Sequence, residues 1–169
     1  PQEIEIGTGP RGKPELSGAG RQSGLRFNVS HSGEVAVFGF AFGRDIGIDV
    51  EAIRVIDHAD AIAARFFSPS EYLAYRGLEP SERRAGFFNC WTRKEAFIKA
   101  LGEGLHYPLQ SFDVSLSPNK PPRLLRLDSR LGEPGDWPIE AFSPCPGFVA
   151  AVVLARSGHR RFGPLGTAG

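Results

Sequence analysis

The first third of the chain alternates between apolar and polar residues, and the period then becomes helical. The segments LRFNVS, EVAVFGFAF and DIGIDVEAI have the two-residue period of β-strands and are separated by the turn-forming stretches HSG and GR. We expect these three strands to form an antiparallel meander. Two short helices should follow, DHADAIAARFF and SPSEYLAYRGL, because Ser68, Pro69 and Glu71 form a capping box with proline at the first helical position.

A longer helix is predicted from about Pro80 to Leu101, where Gly102 and Gly104 end it. After these glycines the segments SFDVSL, RLLRL, WPIEAF and GFVAAVVLA are typical of strands, as is PQEIEI at the start of the chain. The order of strands, helices and strands predicts an α+β fold, in which the long helix packs on an antiparallel sheet.

The composition narrows the classes of function. With 169 residues and 41% hydrophobic residues, the chain is long enough for one domain with a proper core. A formal net charge of +1 gives no overall attraction to nucleic acid or to an anionic membrane, and no apolar run approaches the length of a membrane helix. Two cysteines, Cys90 and Cys145, and the lack of a signal peptide lead us to expect a soluble, cytoplasmic protein.

Two carboxylates on the third strand are the first candidates for chemistry. Asp49 and Glu51 lie two residues apart, so both point to one face while Val50 points to the other. A strand can present two oxygen ligands to one hard cation in this way. The alternative is that both acids form the hydrated face of a half-buried strand, which is the commoner meaning of such a pair.

The long helix supplies a third acid and two lysines. Phe87, Trp91, Ile98 and Leu101 recur at helical spacing and define a buried stripe. Lys94 and Glu95 lie on or beside that face, and Lys99 follows Glu95 by four residues. One interpretation is an ion pair between Glu95 and Lys99 within the helix, with Lys94 extended toward solvent. The other is that Glu95 joins Asp49 and Glu51 around Mg²⁺, or Mn²⁺, while Lys94 and Lys99 neutralise phosphate oxygens.

Three more polar residues are candidates for phosphate contacts. Ser30 and His31 end a strand at a turn, and Lys13 lies in the stiff loop Gly12-Lys13-Pro14. Taken singly, each is more often an ordinary surface or turn residue. The other histidines, at positions 58, 106 and 159, have no metal-binding spacing and are interpreted as surface residues.

Five motifs in one order resemble the Sfp-type 4'-phosphopantetheinyl transferases. They are GKP at residues 12–14, FNVSHSG at 27–33, GIDVE at 47–51, FFSPSE at 66–71 and WTRKEAFIKALGEGL at 91–105. The pair formed by GIDVE and the downstream W-x-x-K-E-A is highly specific. The small holo-acyl-carrier-protein synthases usually have the second carboxylate one residue later and lack the tryptophan, so the chain is more similar to the Sfp branch.

The resemblance implies a reaction and roles for residues. The implied reaction is Mg²⁺-dependent transfer of 4'-phosphopantetheine from coenzyme A to a serine of an acyl or peptidyl carrier protein, with release of adenosine 3',5'-bisphosphate. In that scheme Asp49, Glu51 and Glu95 hold the metal, Lys94 and Lys99 contact the diphosphate, and Glu95 is the base. The resemblance also places Lys13, Ser30 and His31 on the phosphates of coenzyme A.

The resemblance also implies a division of the chain. Residues 1–25 are interpreted as a remnant of a first lobe with the GKP loop, residues 26–156 as the catalytic lobe, and residues 157–169 as a flexible tail. Most of the first lobe is expected to be missing, which would expose apolar surface on the sheet. The alternative function is a catalytically impaired module that docks on a carrier protein through Phe66, Phe67, Tyr72 and Tyr75 in the helical segment 57–78.

Overall fold

The fold is α+β, as expected from the order of elements. In the part of the chain that the structure describes, three α-helices lie between an N-terminal and a C-terminal group of strands. The computed structural model describes residues 4–9, 12–102, 104 and 107–156. The helices are α1 (Ala59–Phe66), α2 (Pro69–Arg76) and α3 (Pro80–Leu101). The strands before them are β1 (Ile6–Thr8), β2 (Pro14–Leu16), β3 (Leu25–Ser32), β4 (Val35–Phe42) and β5 (Ile46–Ala52). Those after them are β6 (Asp113–Val114), β7 (Leu124–Arg126), β8 (Ile139–Phe142) and β9 (Phe148–Leu154).

The predicted meander of β3, β4 and β5 is correct for its first two strands and wrong for the third. β3 and β4 form an antiparallel hairpin in which Leu25 lies opposite Phe42. β5 pairs instead with β9, and β9 pairs with β8, both antiparallel. The nearly continuous apolar run of β9 suits a strand at the centre of a sheet, where both faces are covered.

Side chains, not a backbone ladder, attach the hairpin to β5. Alternate polar residues of β3 accept hydrogen bonds from alternate backbone N–H groups of β5. The pairs are Asn28 Oδ1 with Ile48 N at 2.8 Å, Ser30 Oγ with Val50 N at 3.3 Å and Ser32 Oγ with Ala52 N at 3.1 Å. We call these three residues the polar row. Its period of two places every member on the inner face of β3.

Helix α3 is the centre of the main hydrophobic core. Phe87, Ile98 and Leu101 are buried as the periodicity predicts, and Trp91 is partly buried beside them. The helix ends at Gly102, which adopts the left-handed conformation with φ 74°. The predicted bounds of this helix are therefore confirmed.

One glycine allows α3 to lie directly on β5. A side chain added at Gly47 would overlap the backbone of Ala96 and Ala100 in α3. Asp49 and Glu51 follow Gly47 at two-residue intervals, so the strand turns all three positions toward the helix. Ile48 and Val50 face the other way and pack with Val37 of the hairpin.

The two short helices carry aromatic residues that are part of the core. Ser68 and Glu71 form the predicted capping box at the start of α2. The proposed docking face is wrong for two of its four residues, because Phe67 and Tyr75 are 1% and 3% exposed, and Phe66 and Tyr72 are partly buried against the core. The rings of Phe67 and Tyr75 contact Phe87 of α3, and Phe66 packs edge-on against Trp91, so these aromatic groups serve the interior.

The outer face of the hairpin is apolar and exposed. Phe38, Phe40 and Phe42 occupy alternate positions of β4 and are 62%, 64% and 74% exposed. Their cross-strand neighbours on β3 include Phe27 and Val29. The expectation of an uncovered apolar surface on the sheet fits this row of phenylalanines.

Other expectations concern the remainder of the chain. Cys90 is buried and both cysteines are free thiols. In the described part of the chain, no helix combines the length and apolar character needed to cross a lipid bilayer. The predicted tail, together with His106 and His159, lies outside the described residues.

Candidate active site

Asp49 is a buried carboxylate held by two donors. The residue is only 5% exposed, which excludes the interpretation of Asp49 as a hydrated surface residue. Lys99 Nζ and Ser30 Oγ donate to Asp49 Oδ1 at 2.7 and 2.9 Å. Burial raises the pKa of Asp49, and the Lys99 charge only partly opposes this.

Glu51 lies on the same face of β5, closer to solvent. Ser32 Oγ donates to Glu51 Oε2 at 3.1 Å, so each acid of the strand has a serine from the polar row. Burial raises the pKa of Glu51, and the nearby Asp49 charge raises it further. The polar row therefore connects to both the backbone and the acids of β5.

Glu95 completes the group from α3. Its pKa is raised to about 7, mainly by burial and also by the charges of Asp49 and Glu51, while the charge of Lys99 lowers it. Because Gly47 packs against the backbone of Ala96, the residue after Glu95, this turn of α3 lies on the face of β5 that carries Asp49 and Glu51. Lys99 forms its ion pair with Asp49 across the helix–strand interface, and not the predicted ion pair with Glu95 within the helix.

Two oxygens in this group suit a cation. Asp49 Oδ2 and Glu95 Oε1 are buried, and neither accepts a hydrogen bond from the described residues. Within residues 4–9, 12–102, 104 and 107–156, however, no set of three His, Cys, Asp or Glu side chains could hold a metal ion by itself. Magnesium commonly takes one or two carboxylates together with substrate phosphate oxygens and waters, so the donor set fits that ion with a phosphate substrate.

The stability of the metal-free protein should fall as the pH rises from about 4.5 to about 7. Glu95 has an ordinary pKa of 4.5 and a folded-state pKa of about 7, so in this window the folded state binds more protons than the unfolded state. Thermal unfolding in a chelator between pH 5 and pH 8 tests this. The Glu95→Gln variant should show a clearly smaller decrease, and an equal decrease in both proteins would contradict the assignment.

Ser30 has a structural role that differs from the predicted contact with a phosphate. Its hydroxyl donates to Asp49 and accepts from Val50 N and from Lys99 Nζ, the last at 3.0 Å. Lys99 also donates to the carbonyl of Ile48 at 3.1 Å. Ser30 therefore aligns the acid, the lysine and the strand.

Replacing Ser30 by alanine should destabilise the fold by about 1–3 kcal/mol, because it leaves buried polar groups without partners. Chemical denaturation measures this free energy. Ser129→Ala provides the control, since Ser129 is exposed on a short turn of helix. Equal stability of the two variants would show that the Ser30 contacts contribute nothing.

Lys94 is not brought to the acids. Its side chain is 1% exposed, and its ammonium group is bound between Glu71 and the carbonyls of Leu109 and Phe112. Neither predicted role fits this arrangement, because the side chain extends neither toward solvent nor toward Asp49. Periodicity correctly assigned Lys94 to the buried side of α3, and could not show which partner it meets there.

The remaining candidates lie around the hairpin and its preceding loop. His31 is exposed and follows Ser30 on the strand, so it points to the opposite face. Lys13 Nζ donates to the carbonyls of Ile46 and Lys99 at 2.8 and 2.7 Å, which fastens the GKP loop to β5 and α3. Lys13 also lines a cavity of about 230 Å³ with Arg21 and Arg26.

The sequence did not indicate the contacts of three residues that support the elements of the site. Asn28 and Ser32 belong to the polar row, and the signal for them was the polar alternation N-x-S-x-S in FNVSHSG. Glu71 was identified only as a capping residue. No feature of the sequence near Glu71 indicated that it would pair with Lys94 of α3.

Comparison with known proteins identifies relatives along most of the chain. Residues 45–153 match the model of the 4'-phosphopantetheinyl transferase superfamily. The 4'-phosphopantetheinyl transferase HetI of Nostoc sp. is 35% identical over 158 residues, which is 94% of this chain and 63% of HetI. The 4'-phosphopantetheinyl transferase Sfp of Bacillus subtilis is 33% identical over 153 residues, covering 90% of this chain and 64% of Sfp.

Among solved structures, the holo-[acyl-carrier-protein] synthase of Thermotoga maritima matches with a TM-score of 0.49 and 25% identity, over 67% of this chain and 63% of that chain. The chain thus spans less than two thirds of the length of the HetI and Sfp relatives. The matched superfamily region begins at Asp45. It includes β5 and α3, which contain the three acids, and all but the last residue of β9, the strand that pairs with β5.

Proposed function

The chain belongs to the 4'-phosphopantetheinyl transferase superfamily, and from this premise we propose that it transfers 4'-phosphopantetheine from coenzyme A to a serine of an acyl or peptidyl carrier protein. The observation that carries the proposal is the group of Asp49, Glu51 and Glu95. This group combines two buried carboxylate oxygens that lack a hydrogen-bond partner among the described residues with a glutamate, Glu95, whose pKa is raised to about 7 in the metal-free protein. The products are the loaded carrier protein and adenosine 3',5'-bisphosphate.

The acids are proposed to hold Mg²⁺, or Mn²⁺, together with the diphosphate of coenzyme A. Asp49 Oδ2 and Glu95 Oε1 are the oxygens with no other partner among the described residues, and Glu51 lies beside them. When bound, the ion would neutralise the negative charge that develops on the leaving diphosphate oxygen. Lys99 adds a second positive charge at the same place, since its ammonium group already lies on Asp49.

The proposed proton transfer uses Glu95. The serine oxygen of the carrier protein attacks the phosphorus that bears pantetheine, and the bond from this phosphorus to the bridging diphosphate oxygen breaks. The serine proton passes to Glu95, directly or through a water. A general base acts best when its pKa lies near the working pH; burial raises the pKa of Glu95 to about 7 in the metal-free protein, and a bound ion would lower it. No nucleophile is required from this chain.

Coenzyme A is proposed to lie along the junction of the GKP loop, the hairpin and the acids. The cavity beside Lys13 is lined by three cationic side chains, which suit the phosphates of the nucleotide portion, and also by the carboxylates Glu15 and Asp45. Residues 26–156 would then form the catalytic lobe, with residues 1–25 contributing the loop. The free thiols Cys90 and Cys145 agree with a cytoplasmic location.

Mass spectrometry of an apo carrier protein incubated with this chain, coenzyme A and Mg²⁺ tests the proposal. We expect the mass of the carrier to increase by one phosphopantetheine group, and we expect no increase when a chelator is present. A folded chain that gives no increase with acyl and peptidyl carriers, yet binds a carrier in calorimetry, would support the alternative of a docking module. Loading that is unaffected by the chelator would contradict the metal role.

A further inference from the structure

Lys94 and Glu71 form an ion pair in the interior, outside the acid group. Lys94 Nζ lies 2.8 Å from Glu71 Oε2, and the two side chains are 1% and 2% exposed. Lys94 Nζ also donates to the carbonyls of Leu109 at 2.6 Å and Phe112 at 2.8 Å. An ammonium group has three protons, and these three oxygens match them.

Further contacts make Lys94 a poor candidate for a movable ligand. Its ammonium group lies 4.0 Å from the centre of the Phe112 ring, a favourable position for a cation over an aromatic face. To reach a phosphate, Lys94 would have to break every one of these contacts and leave Glu71 as an unpaired buried charge. A buried carboxylate without a cationic partner is strongly destabilising.

Glu71 extends the connection to two more elements. Its Oε2 accepts a hydrogen bond from Ser68 N at 2.8 Å, which is the capping contact of α2. Its Oε1 accepts from Val114 N at 2.7 Å in β6. One carboxylate thus joins the start of α2, the strand β6 and, through Lys94, the middle of α3.

The position of this connection along α3 matters for the proposed base. Glu95 is the next residue of the helix; its Oε1 is buried, and the residue that follows it, Ala96, packs against Gly47 of β5, two residues before Asp49. Lys94 fastens the same turn of the helix to the segment at Leu109 and Phe112. Holding α3 at Lys94 therefore sets both the rotation of the helix about its axis and its position along that axis. These two quantities determine where Glu95 lies relative to the acids of β5.

We propose that Lys94 and Glu71 are positioning residues for the transfer reaction. Their buried pair holds the turn of α3 that presents Glu95, and Lys94 does not bind the diphosphate of coenzyme A. This inference rests on the proposed function, since it assigns a task within the same reaction. It separates the two lysines of the helix, leaving Lys99 as the one beside the substrate.

The two roles of Lys94 predict different kinetics. A lost phosphate ligand weakens the binding of coenzyme A, whereas a misplaced base lowers kcat and leaves the affinity for coenzyme A unchanged. A small displacement of a catalytic group is enough to reduce a rate by about a hundredfold. A pair that only stabilises the fold would change neither quantity once the protein is folded.

A pair of variants allows the test in folded protein. Lys94→Met alone leaves Glu71 buried and unpaired, and should lower Tm by about 10 °C. Adding Glu71→Gln removes the second charge, keeps a residue that can form a capping box, and should recover a large part of that loss. Thermal unfolding identifies the conditions in which the double variant is folded.

The double variant is then compared with the wild type by calorimetry with coenzyme A and by carrier loading. We expect Kd and KM for coenzyme A to remain within about twofold, and kcat to fall by about tenfold to a hundredfold. Lys99→Met should instead raise Kd for coenzyme A by about tenfold or more. Lys120→Met, at an exposed lysine, is the matched control and should change neither quantity.

Two results would overturn the inference. A rise in Kd for coenzyme A in the double variant as large as that in Lys99→Met would identify Lys94 as a phosphate ligand. An unchanged kcat in the folded double variant would reduce the pair to a purely stabilising contact. Failure of the wild-type chain to bind coenzyme A or to load any carrier would be a different result, because it counts against the proposed function itself.

Discussion

Glu95→Gln should reduce the rate of carrier loading by about a hundredfold to ten thousandfold, the range associated with the loss of a general base. Glutamine keeps the size of the side chain, but it cannot accept the serine proton and is a poor ligand for Mg²⁺. Since Glu95 lies among Asp49, Glu51 and Lys99, the substitution removes one negative charge from a crowded acid group. The folded protein should therefore be at least as stable as the wild type above pH 7 when no divalent cation is present.

Initial rates from mass spectrometry, with saturating coenzyme A and Mg²⁺, measure this effect. The control is Glu140→Gln, which makes the same chemical change at an exposed position of β8 and should keep the wild-type rate. Retention of more than about a tenth of the rate by Glu95→Gln would exclude Glu95 as the base, because smaller losses fall below the usual contribution of such a group.

Gly47→Ala should destabilise the protein by about 3 to 5 kcal/mol, at the upper end of the range for single substitutions. The added methyl group would overlap the backbone of α3 at Ala96 and Ala100. Backbone atoms cannot avoid it by changing rotamer, so the helix and β5 would have to move apart. Asp49 and Glu95 lie on the two separating elements, and carrier loading should be lost together with stability.

Chemical denaturation and loading assays on the same preparation measure both effects. Gly135→Ala is the matched control, because an added methyl group there meets no atom within 4 Å and the backbone does not require glycine. A Gly47→Ala protein with wild-type stability would show that α3 and β5 do not pack as closely as described. A Gly47→Ala protein that is stable but no longer loads a carrier would show that the substitution disturbs the site without destabilising the fold.

Local patterns were sufficient for the elements that depend on neighbouring residues. The bounds of α3, the capping box at Ser68 and Glu71, and the common face of Asp49 and Glu51 all follow from periodicity or from capping chemistry. These features are determined within a few residues along the chain, so a single sequence contains the needed information.

Contacts between residues that are far apart along the chain could not be predicted from local patterns. β5 pairs with β9, about a hundred residues later, although β4 is its neighbour in sequence. The period of α3 placed Lys94 on the inner side, but the choice between Glu71 and a phosphate depends on how α2 and β6 pack against the helix. The aromatic residues of α1 and α2 were misinterpreted for a related reason, since composition does not show which face of a short helix is covered.

The polar row also fixes the register of the hairpin against β5. A backbone ladder between two strands can slide along the strand and pair again, because every residue offers a donor and an acceptor. Side chains from Asn28, Ser30 and Ser32 provide acceptors only at every second position. A shift by one residue would place Val29 and His31 against the N–H groups of β5. The alternation of these three polar residues therefore permits a single register between β3 and β5, and this register determines where Asp49 and Glu51 lie in the site.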